Sequence, residues 1–213
     1  MRDKLTDLSC EAFASELAAK VPAPGGGGAA ALAGALAVAL CEMAGNFTVG
    51  KARYAAVEPD LRRVLAEAEG LRARLVALVE ADAHAFEPLA QAYRIPADDP
   101  DRTHRIEDAL RGACSVPIEI MRACARSLDL LDEMDAKGSR LMRSDVGCGA
   151  ALAAGALRAA HLTVLVNTTP LPDDPVARDL EAEADDLLAR YIPHADALAT
   201  SVAEAIREEA SHG

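Results

Sequence analysis

The sequence has no tryptophan, and aromatic residues make up only 3% of its 213 residues. Hydrophobic residues nevertheless reach 51%, largely as alanine and leucine. This composition excludes a disordered chain and favours helix over strand. Basic residues are scarce too, with 22 Lys and Arg against 34 Asp and Glu, so the net charge is −12. We therefore expect neither nucleic acid nor an anionic membrane as the main partner.

Sequence motifs of metal and disulfide sites are also missing. The 5 cysteines are odd in number and contain no C-x-x-C pair, which excludes a simple disulfide framework. The 5 histidines show no H-E-x-x-H spacing, so no metal site is predicted. The segment 1–20 has no apolar signal-peptide region. We expect a cytoplasmic protein with reduced thiols.

Apolar residues recur at helical spacing along most of the chain, and no alternating strand pattern appears. The spacing predicts one all-α domain over 1–213, built as a single antiparallel bundle of long helices. The predicted helices are 6–20; 28–49; one opening at Glu58 and bending or ending near Pro88; 103–136, bent or broken near Pro117; one capped by Ser144 or Asp145 and ending near Val166; and 176–212, bent at Pro193.

The uncharged stretch from Val21 to Cys41 is long enough to span a membrane. It opens with Pro22, Pro24 and a glycine run, which do not start a regular spanning helix. Its body is mostly alanine and glycine, which are weakly hydrophobic. We therefore expect no membrane span, and interpret the stretch as a closely packed central helix of the bundle.

Four consecutive glycines, Gly25, Gly26, Gly27 and Gly28, precede the second helix. Backbone N–H groups at the positive end of a helix suit a carboxylate or a phosphate. The run is not a P-loop, because no Gly-Lys-Ser/Thr closes it, and it lacks the G-x-G-x-x-G pattern. A flexible turn between two helices is the alternative interpretation.

Asp82 lies on the apolar stripe of the third helix, three residues after Val79 and four after Leu78. A carboxylate in this position is usually paired or lines a cavity, because burying it alone is costly. Burial raises the pKa of such a carboxyl and suits it to proton transfer. A structural salt bridge to an inward-facing Arg or Lys is the alternative.

Three further polar residues lie next to predicted helix ends. Asp145, after Ser144 at a predicted helix start, is most simply an N-cap. Lys51 and Tyr54 follow the second helix, where a basic group complements the helix dipole. The same two residues could instead bind an anionic ligand.

The segment from Val21 to Gly28, followed by AAALAGALAVALCEMAGNFTVGKARY, resembles the hallmark of the formiminotransferase-cyclodeaminase C-terminal family. This family includes bacterial methenyltetrahydrofolate cyclohydrolases. Two further blocks, 80–86 and 144–147, agree with the family in order and spacing. The resemblance spans about residues 5 to 190.

The resemblance implies an all-helical homodimer that acts on a tetrahydrofolate one-carbon adduct. It places a folate site between helices, bordered by the glycine turn, Lys51, Tyr54, Asp82 and Asp145. Asp82 is then the candidate acid–base group, and Asp145 its partner or a pterin-orienting group. The glycine turn and Lys51 would bind the folate carboxylates. No metal and no cofactor beyond the tetrahydrofolate substrate is implied.

The choice between cyclodeaminase and cyclohydrolase stays open. A chain without a formiminotransferase domain slightly favours cyclohydrolase, whereas cyclodeaminase gives the family its name. Two departures matter: Gly28 stands where the family commonly has Ser, and Arg143 where it commonly has Ile. A folate-binding or helical interaction protein without catalysis is therefore the alternative.

Overall fold

The computed structural model describes residues 4–211, and no β-strand occurs among them. The all-α prediction is therefore confirmed, whereas the extent of the domain over 1–213 stays a prediction. The helices are α1 (Cys10–Ala18), α2 (Gly26–Asn46), α3 (Glu58–Ala92), α4 (Arg102–Ala113), α5 (Ser115–Lys137), α6 (Arg143–Thr168) and α7 (Pro175–Ser211). The predicted end of the last helix, His212, lies outside the described residues.

The predicted start of the first helix was wrong. α1 begins at Cys10 rather than near residue 6, because the Ser9 side chain caps it by accepting from the Ala12 N–H at 3.1 Å. The region 103–136 forms two helices that meet at Cys114, so the predicted break near Pro117 is confirmed. Pro117 itself lies in the first turn of α5, where a proline removes no intrahelical hydrogen bond.

The capping role predicted for Ser144 or Asp145 was also wrong. α6 already begins at Arg143, after a short 3-10 turn, and its N-cap Met142 makes no side-chain capping bond. Asp145 therefore lies in the first turn of α6, where its charge complements the helix dipole. In the same way, Pro88 and Pro193 lie inside α3 and α7 without ending them.

α2 and α6 form the centre of the bundle. α2 packs against α3, α5 and α6, and α6 packs against α2, α5 and α7. The two helices are antiparallel: a Cβ at Gly26 would lie 3.8 Å from Thr163 Oγ1, and one at Gly149 would lie 3.1 Å from the Ala37 carbonyl oxygen. The start of α2 therefore lies beside the end of α6.

Two segments are long and apolar enough to cross a membrane by length and composition alone. They are Gly26–Asn46, with a mean hydropathy of 1.6, and Arg140–Thr168, with 1.5. Core helices pass the same test, and 56% of the α2 window is buried inside the bundle. The packing thus supports the interpretation of α2 as a central helix.

Candidate active site

A carboxylate from α3 lies against the first turn of α2. Asp82 Oδ2 accepts a hydrogen bond from the Gly28 N–H at 2.8 Å. The side chain is half-buried and continues the stripe of the fully buried Leu75, Leu78 and Val79. Within residues 4–211 no Lys or Arg forms a salt bridge with Asp82, so the structure does not show the ion pair that was the alternative.

Burial raises the pKa of Asp82 above its usual value of 3.8. The hydrogen bond from Gly28 acts in the opposite direction, because it stabilises the carboxylate, but burial is the larger effect. No neighbouring cation stabilises the charged carboxylate. Asp82 therefore binds and releases a proton at a higher pH than an exposed aspartate. That property suits a general acid–base group.

Of the four glycines Gly25–Gly28, only Gly27 must lack a side chain to allow the observed position of the Asp82 carboxyl group. A Cβ at Gly27 would lie 2.1 Å from Asp82 Oδ1, an impossible contact. A Cβ at Gly25 would meet nothing within 4 Å, and one at Gly28 would be 3.7 Å from Asp82 Oδ2. The serine common in the family at position 28 therefore fits this backbone, and its absence leaves the Asp82–Gly28 contact intact.

Asp82 borders a cavity of about 220 Å³ between α2, α3 and α6. Its walls combine apolar groups with three polar side chains, those of Asp82, Thr163 and Asn167. The other lining residues are Pro22, Ala23, Gly25, Gly26, Gly27, Ala83, Ala85, Phe86, Ala113 and Val166. No Lys or Arg is among them. An adjoining cavity of about 170 Å³ shares Ala83 and Phe86 and reaches Arg94.

Sequence reasoning missed Thr163, Asn167 and Arg94 as site residues. The Asn167 amide donates to the Ala113 carbonyl at 3.1 Å, so the side chain is held in place with its oxygen free to accept. The available signal was two polar residues four apart in the apolar helix α6, which places them on one face. No signal in the sequence linked that face to Asp82.

Lys51 and Tyr54 line a different cavity, of about 610 Å³, at the other end of α2. Arg53, Arg140 and Arg143 also line it. Arg143 pairs with Asp135 at 3.0 Å, whereas Lys51, Arg53 and Arg140 have no carboxylate partner in the part of the chain that the structure describes. The lining of this cavity therefore includes three cations that form no ion pair with a described residue.

The surroundings of Tyr54 favour its charged form. A hydrogen bond with the Ser139 side chain is the largest cause of its lowered pKa, and the charges of Arg53 and Lys51 add to it. The same surroundings would stabilise any anion that enters this cavity, as the interpretation of Lys51 and Tyr54 as ligand-binding residues requires.

One chain does not bring the predicted site residues together. Gly25–Gly28 and Asp82 lie at the start of α2, and Lys51 and Tyr54 lie beyond its end. The 21 residues of α2 separate them by about 30 Å at the usual helical rise. Asp145, at the start of α6, lies at the Lys51 end because α6 is antiparallel to α2. The roles of all these residues stay predictions.

The fold and the Asp82 cavity define an all-helical protein with a desolvated carboxyl group at a glycine-rich helix start. Such a site is suited to proton transfer on a bound ligand. The chain belongs to the formiminotransferase-cyclodeaminase family, whose model matches residues 9–186.

Three relatives illustrate the family. A methenyltetrahydrofolate cyclohydrolase of Methylorubrum extorquens is 39% identical over 183 residues, which are 84% of this chain and 88% of that protein. The formimidoyltransferase-cyclodeaminase of Rattus norvegicus is 32% identical over 80% of this chain, which spans only 32% of the rat protein. The crystal structure of formiminotetrahydrofolate cyclodeaminase from Thermotoga maritima superposes with a TM-score of 0.85 at 28% identity, covering 95% of this chain and 99% of that one.

Proposed function

We propose that the protein is a folate one-carbon enzyme and that its reaction is the hydrolysis of 5,10-methenyltetrahydrofolate to 10-formyltetrahydrofolate. The observation that carries the proposal is the half-buried Asp82, with a raised pKa, at a cavity between helices. The 39% identity to a methenyltetrahydrofolate cyclohydrolase, over 88% of that protein, supports this choice of reaction.

In this mechanism Asp82 acts first as a base and then as an acid. Its carboxylate accepts a proton from water as the water oxygen bonds to the cationic methenyl carbon. The protonated Asp82 then gives that proton to N5 as the bond between the carbon and N5 breaks. The freed carboxylate takes the remaining hydroxyl proton as the C=O bond of the formyl group forms on N10, and it passes this proton to solvent, so one proton is released in each turnover. A carboxyl group whose pKa is raised by burial serves both steps, because it holds a proton more readily than an exposed carboxylate and can still release it. The carboxylate also stabilises the cationic substrate.

Cyclodeamination of 5-formiminotetrahydrofolate is the second candidate. The Thermotoga maritima structure, which covers 95% of this chain, is that of a cyclodeaminase. In this reaction N10 attacks the formimino carbon, Asp82 takes the N10 proton, and it protonates the departing nitrogen so that ammonia leaves. Both reactions pass through a tetrahedral carbon between N5 and N10, so one carboxyl group serves either. Neither reaction needs a metal or a redox cofactor.

The groups around Asp82 offer contacts for the pterin ring. The first-turn N–H groups of Gly26 and Gly27 have no acceptor within the helix, and Asn167 and Thr163 present polar atoms to the cavity. Phe86 supplies an apolar wall. In this proposal Lys51 and Tyr54 keep their predicted role in folate binding. Asp145 keeps its predicted role as the catalytic partner of Asp82 or as a pterin-orienting group.

We also propose that the protein is cytoplasmic and forms a homodimer, with neither a membrane nor a nucleic acid as partner. All five cysteines are unpaired in the structure, as expected for a reducing compartment. Burial raises the pKa of Cys41 to about 12, which keeps this thiol unreactive. The exposed apolar side chains of α2 and α6 support self-association.

The test measures the loss of methenyltetrahydrofolate absorbance with the purified protein and with Asp82→Asn. We expect catalysed hydrolysis by the wild-type protein and at least a ~10²-fold lower turnover in the variant, the usual effect of losing an acid–base group. The asparagine oxygen can still accept from Gly28, so the fold should persist. Unchanged turnover would remove Asp82 from the mechanism.

Two further measurements separate the alternatives. Ammonia release from 5-formiminotetrahydrofolate, compared with methenyltetrahydrofolate hydrolysis, decides between cyclodeaminase and cyclohydrolase. Tetrahydrofolate binding by calorimetry without turnover in either assay would instead support a folate-binding protein that has lost catalysis. No binding at all would support a helical interaction protein.

A further inference from the structure

Two polar side chains of α6 line the Asp82 cavity, and among the described residues they are its only polar side chains besides Asp82. Thr163 and Asn167 are four residues apart, so one turn of α6 places them on the same side of the helix. A Cβ at Gly26 would lie 3.8 Å from Thr163 Oγ1, and one at Gly27 would lie 2.1 Å from Asp82 Oδ1. The first turn of α2 therefore has these α6 side chains on one side and Asp82 on the other.

Asn167 is held in one orientation. Its side-chain amide donates to the Ala113 carbonyl oxygen at 3.1 Å, where α4 meets α5. Because a carbonyl oxygen only accepts, the amide nitrogen faces Ala113, and Oδ1 is on the other branch of the side chain. Only 6% of Asn167 is exposed, and no described residue donates a hydrogen bond to Oδ1. Since Asn167 lines the cavity, this buried oxygen is an unpaired acceptor there.

Asp82 has an unpaired acceptor as well. Its Oδ2 accepts from the Gly28 N–H at 2.8 Å, whereas Oδ1 receives no hydrogen bond from a described residue. Oδ1 is also the carboxyl oxygen closer to Gly27, which lines the cavity. The Thr163 hydroxyl donates its hydrogen to the Ala159 carbonyl oxygen at 3.2 Å, so it too can only accept from a ligand. The side-chain oxygens of this cavity are therefore acceptors.

A water between two fixed acceptors is oriented for attack on a carbon. When a water donates one hydrogen to Asp82 Oδ1 and the other to Asn167 Oδ1, its lone pairs stay free to form a bond. A donor in place of either oxygen would instead occupy a lone pair of the water. The cavity of about 220 Å³ has room for a water, which takes roughly 30 Å³, beside a ligand ring.

We propose that Asn167 is a positioning residue for hydrolysis, and that Asn167 and Asp82 together hold the water that attacks the methenyl carbon. The inference rests on the proposed function and adds to it a residue of α6 that acts through the water. Asn167 suits this role better than Thr163, because the amide oxygen is fixed by the contact with Ala113, whereas a hydroxyl group can rotate.

Asn167 takes up no proton in this sequence. As the water oxygen bonds to the carbon, one hydrogen passes to Asp82, and the new hydroxyl group donates its hydrogen bond to Asn167 Oδ1. Asp82 gives its proton to N5 as the bond between the carbon and N5 breaks. The freed carboxylate then takes the hydroxyl proton as the C=O bond of the formyl group forms. The contribution of Asn167 is therefore to geometry.

Asn167→Leu removes both polar atoms and keeps a branched side chain. We expect kcat for methenyltetrahydrofolate hydrolysis to fall by about 10²-fold with little change in KM, the effect of a misplaced reacting group. Circular dichroism checks that the variant folds. Thr163→Val, which removes the other α6 acceptor, should lower kcat less. An unchanged kcat in Asn167→Leu, or a larger loss in Thr163→Val, would overturn the proposal.

Asn167→Asp separates the contact with the water from the contact with Ala113. It keeps an oxygen that accepts from the water, but it loses the N–H group that Asn167 donates to Ala113. We expect its kcat to recover well above that of Asn167→Leu. If Asn167 only joined α6 to the end of α4, both variants would lose the same amount, and this result would overturn the proposal.

The pH dependence of Asn167→Asp gives a second readout. Asp82 is the only titratable side chain that lines the cavity in the part of the chain that the structure describes. A second carboxylate in the cavity disfavours the charged form of Asp82, so the acid limb of kcat against pH should move up by about 1 unit or more. An unshifted acid limb would show that position 167 does not face Asp82 and would overturn the proposal.

Arg111→Ala is the matched control for the end of α4. Arg111 lies in the last turn of α4 and pairs with Asp108 at 2.7 Å and with Asp174, but it does not line the cavity. We expect this variant to have a lower Tm and an unchanged kcat. A loss of kcat as large as that in Asn167→Leu would show that the α4 end, and not the water, sets the rate.

A crystal structure of the ligand-free protein tests the geometry without turnover. We expect an ordered water within about 3.2 Å of both Asp82 Oδ1 and Asn167 Oδ1, and its loss in Asn167→Leu. A wild-type protein that hydrolyses the substrate but holds no such water would overturn this inference alone. A wild-type protein without turnover would instead contradict the proposed function itself.

Discussion

The two ends of the α2–α6 pair differ in charge, in burial and in cavity size. At the Asp82 end a half-buried carboxyl group lies in a small cavity without a lining cation. At the Lys51 end three exposed cations without carboxylate partners in the described chain surround a larger cavity. The distance between the cations and Asp82 affects the pKa of Asp82. A cation within a few ångströms would lower this pKa, whereas without one the effect of burial, which raises the pKa, dominates.

The largest effect is expected from a substitution at Gly27, where the start of α2 lies against Asp82. We expect Gly27→Ala to displace the Asp82 carboxyl group, because the new Cβ would lie 2.1 Å from Oδ1. Turnover should fall by about 10²-fold or more, as for loss of the acid–base group itself. Steady-state kinetics of folate turnover checks this.

Gly70→Ala is the matched control for that substitution. Gly70 also lies inside a helix, α3 rather than α2, but a Cβ there meets nothing within 4 Å. The control should gain stability, by up to about 1 kcal/mol from the higher helix propensity of alanine, and keep its turnover. An equal loss of turnover in Gly27→Ala and Gly70→Ala would show that the contact between the new Cβ and Asp82 does not cause the loss.

At the other end we expect Lys51→Ala to raise the KM for folate by about 10-fold with little change in kcat, the result of removing uniform binding energy. Raising the salt concentration should weaken binding by the wild-type protein more than by the variant. Arg105→Ala, which removes an exposed positive charge from α4, is the control for net charge. An effect of Lys51→Ala on thermal stability alone would favour its interaction with the α2 dipole.

The smallest expected effect concerns stability and pH. Asp82 has a folded-state pKa above 3.8, so between 3.8 and that raised value the folded protein binds more protons than the unfolded chain. The free energy of unfolding therefore falls as pH rises through this window. Asp82→Asn removes the free-energy cost of burying a charged carboxylate, so we expect the variant to have a higher Tm than wild type at neutral pH.

The difference in Tm between Asp82→Asn and wild type should shrink on acidification and vanish below pH 3.8, where the carboxyl is protonated in both states. Thermal unfolding by circular dichroism across this pH range measures it. A variant that is less stable than wild type at neutral pH would show that the Gly28 hydrogen bond outweighs burial.

The helical class, the apolar stripe of α3 and the acidic residue within that stripe were predictable from the amino-acid sequence. These features depend on composition and on spacing along one helix, which fix which side chains share a face whatever the surroundings. Helix ends were less predictable. Ser144 and Asp145 have side chains suited to capping, yet the N-cap of α6 is Met142, the last residue of a 3-10 turn, and both side chains lie inside the helix.

Only the tertiary structure decided what each face meets. It placed Asp82 against Gly28, brought Thr163 and Asn167 of α6 to the same cavity, and separated Lys51, Tyr54 and Asp145 from it by the length of α2. Contacts between residues more than 50 positions apart depend on the direction in which helices pack. The spacing of residues along one helix does not predict that direction. The positions of the candidate site residues at two opposite ends of the bundle therefore became visible only from the antiparallel packing of α2 and α6.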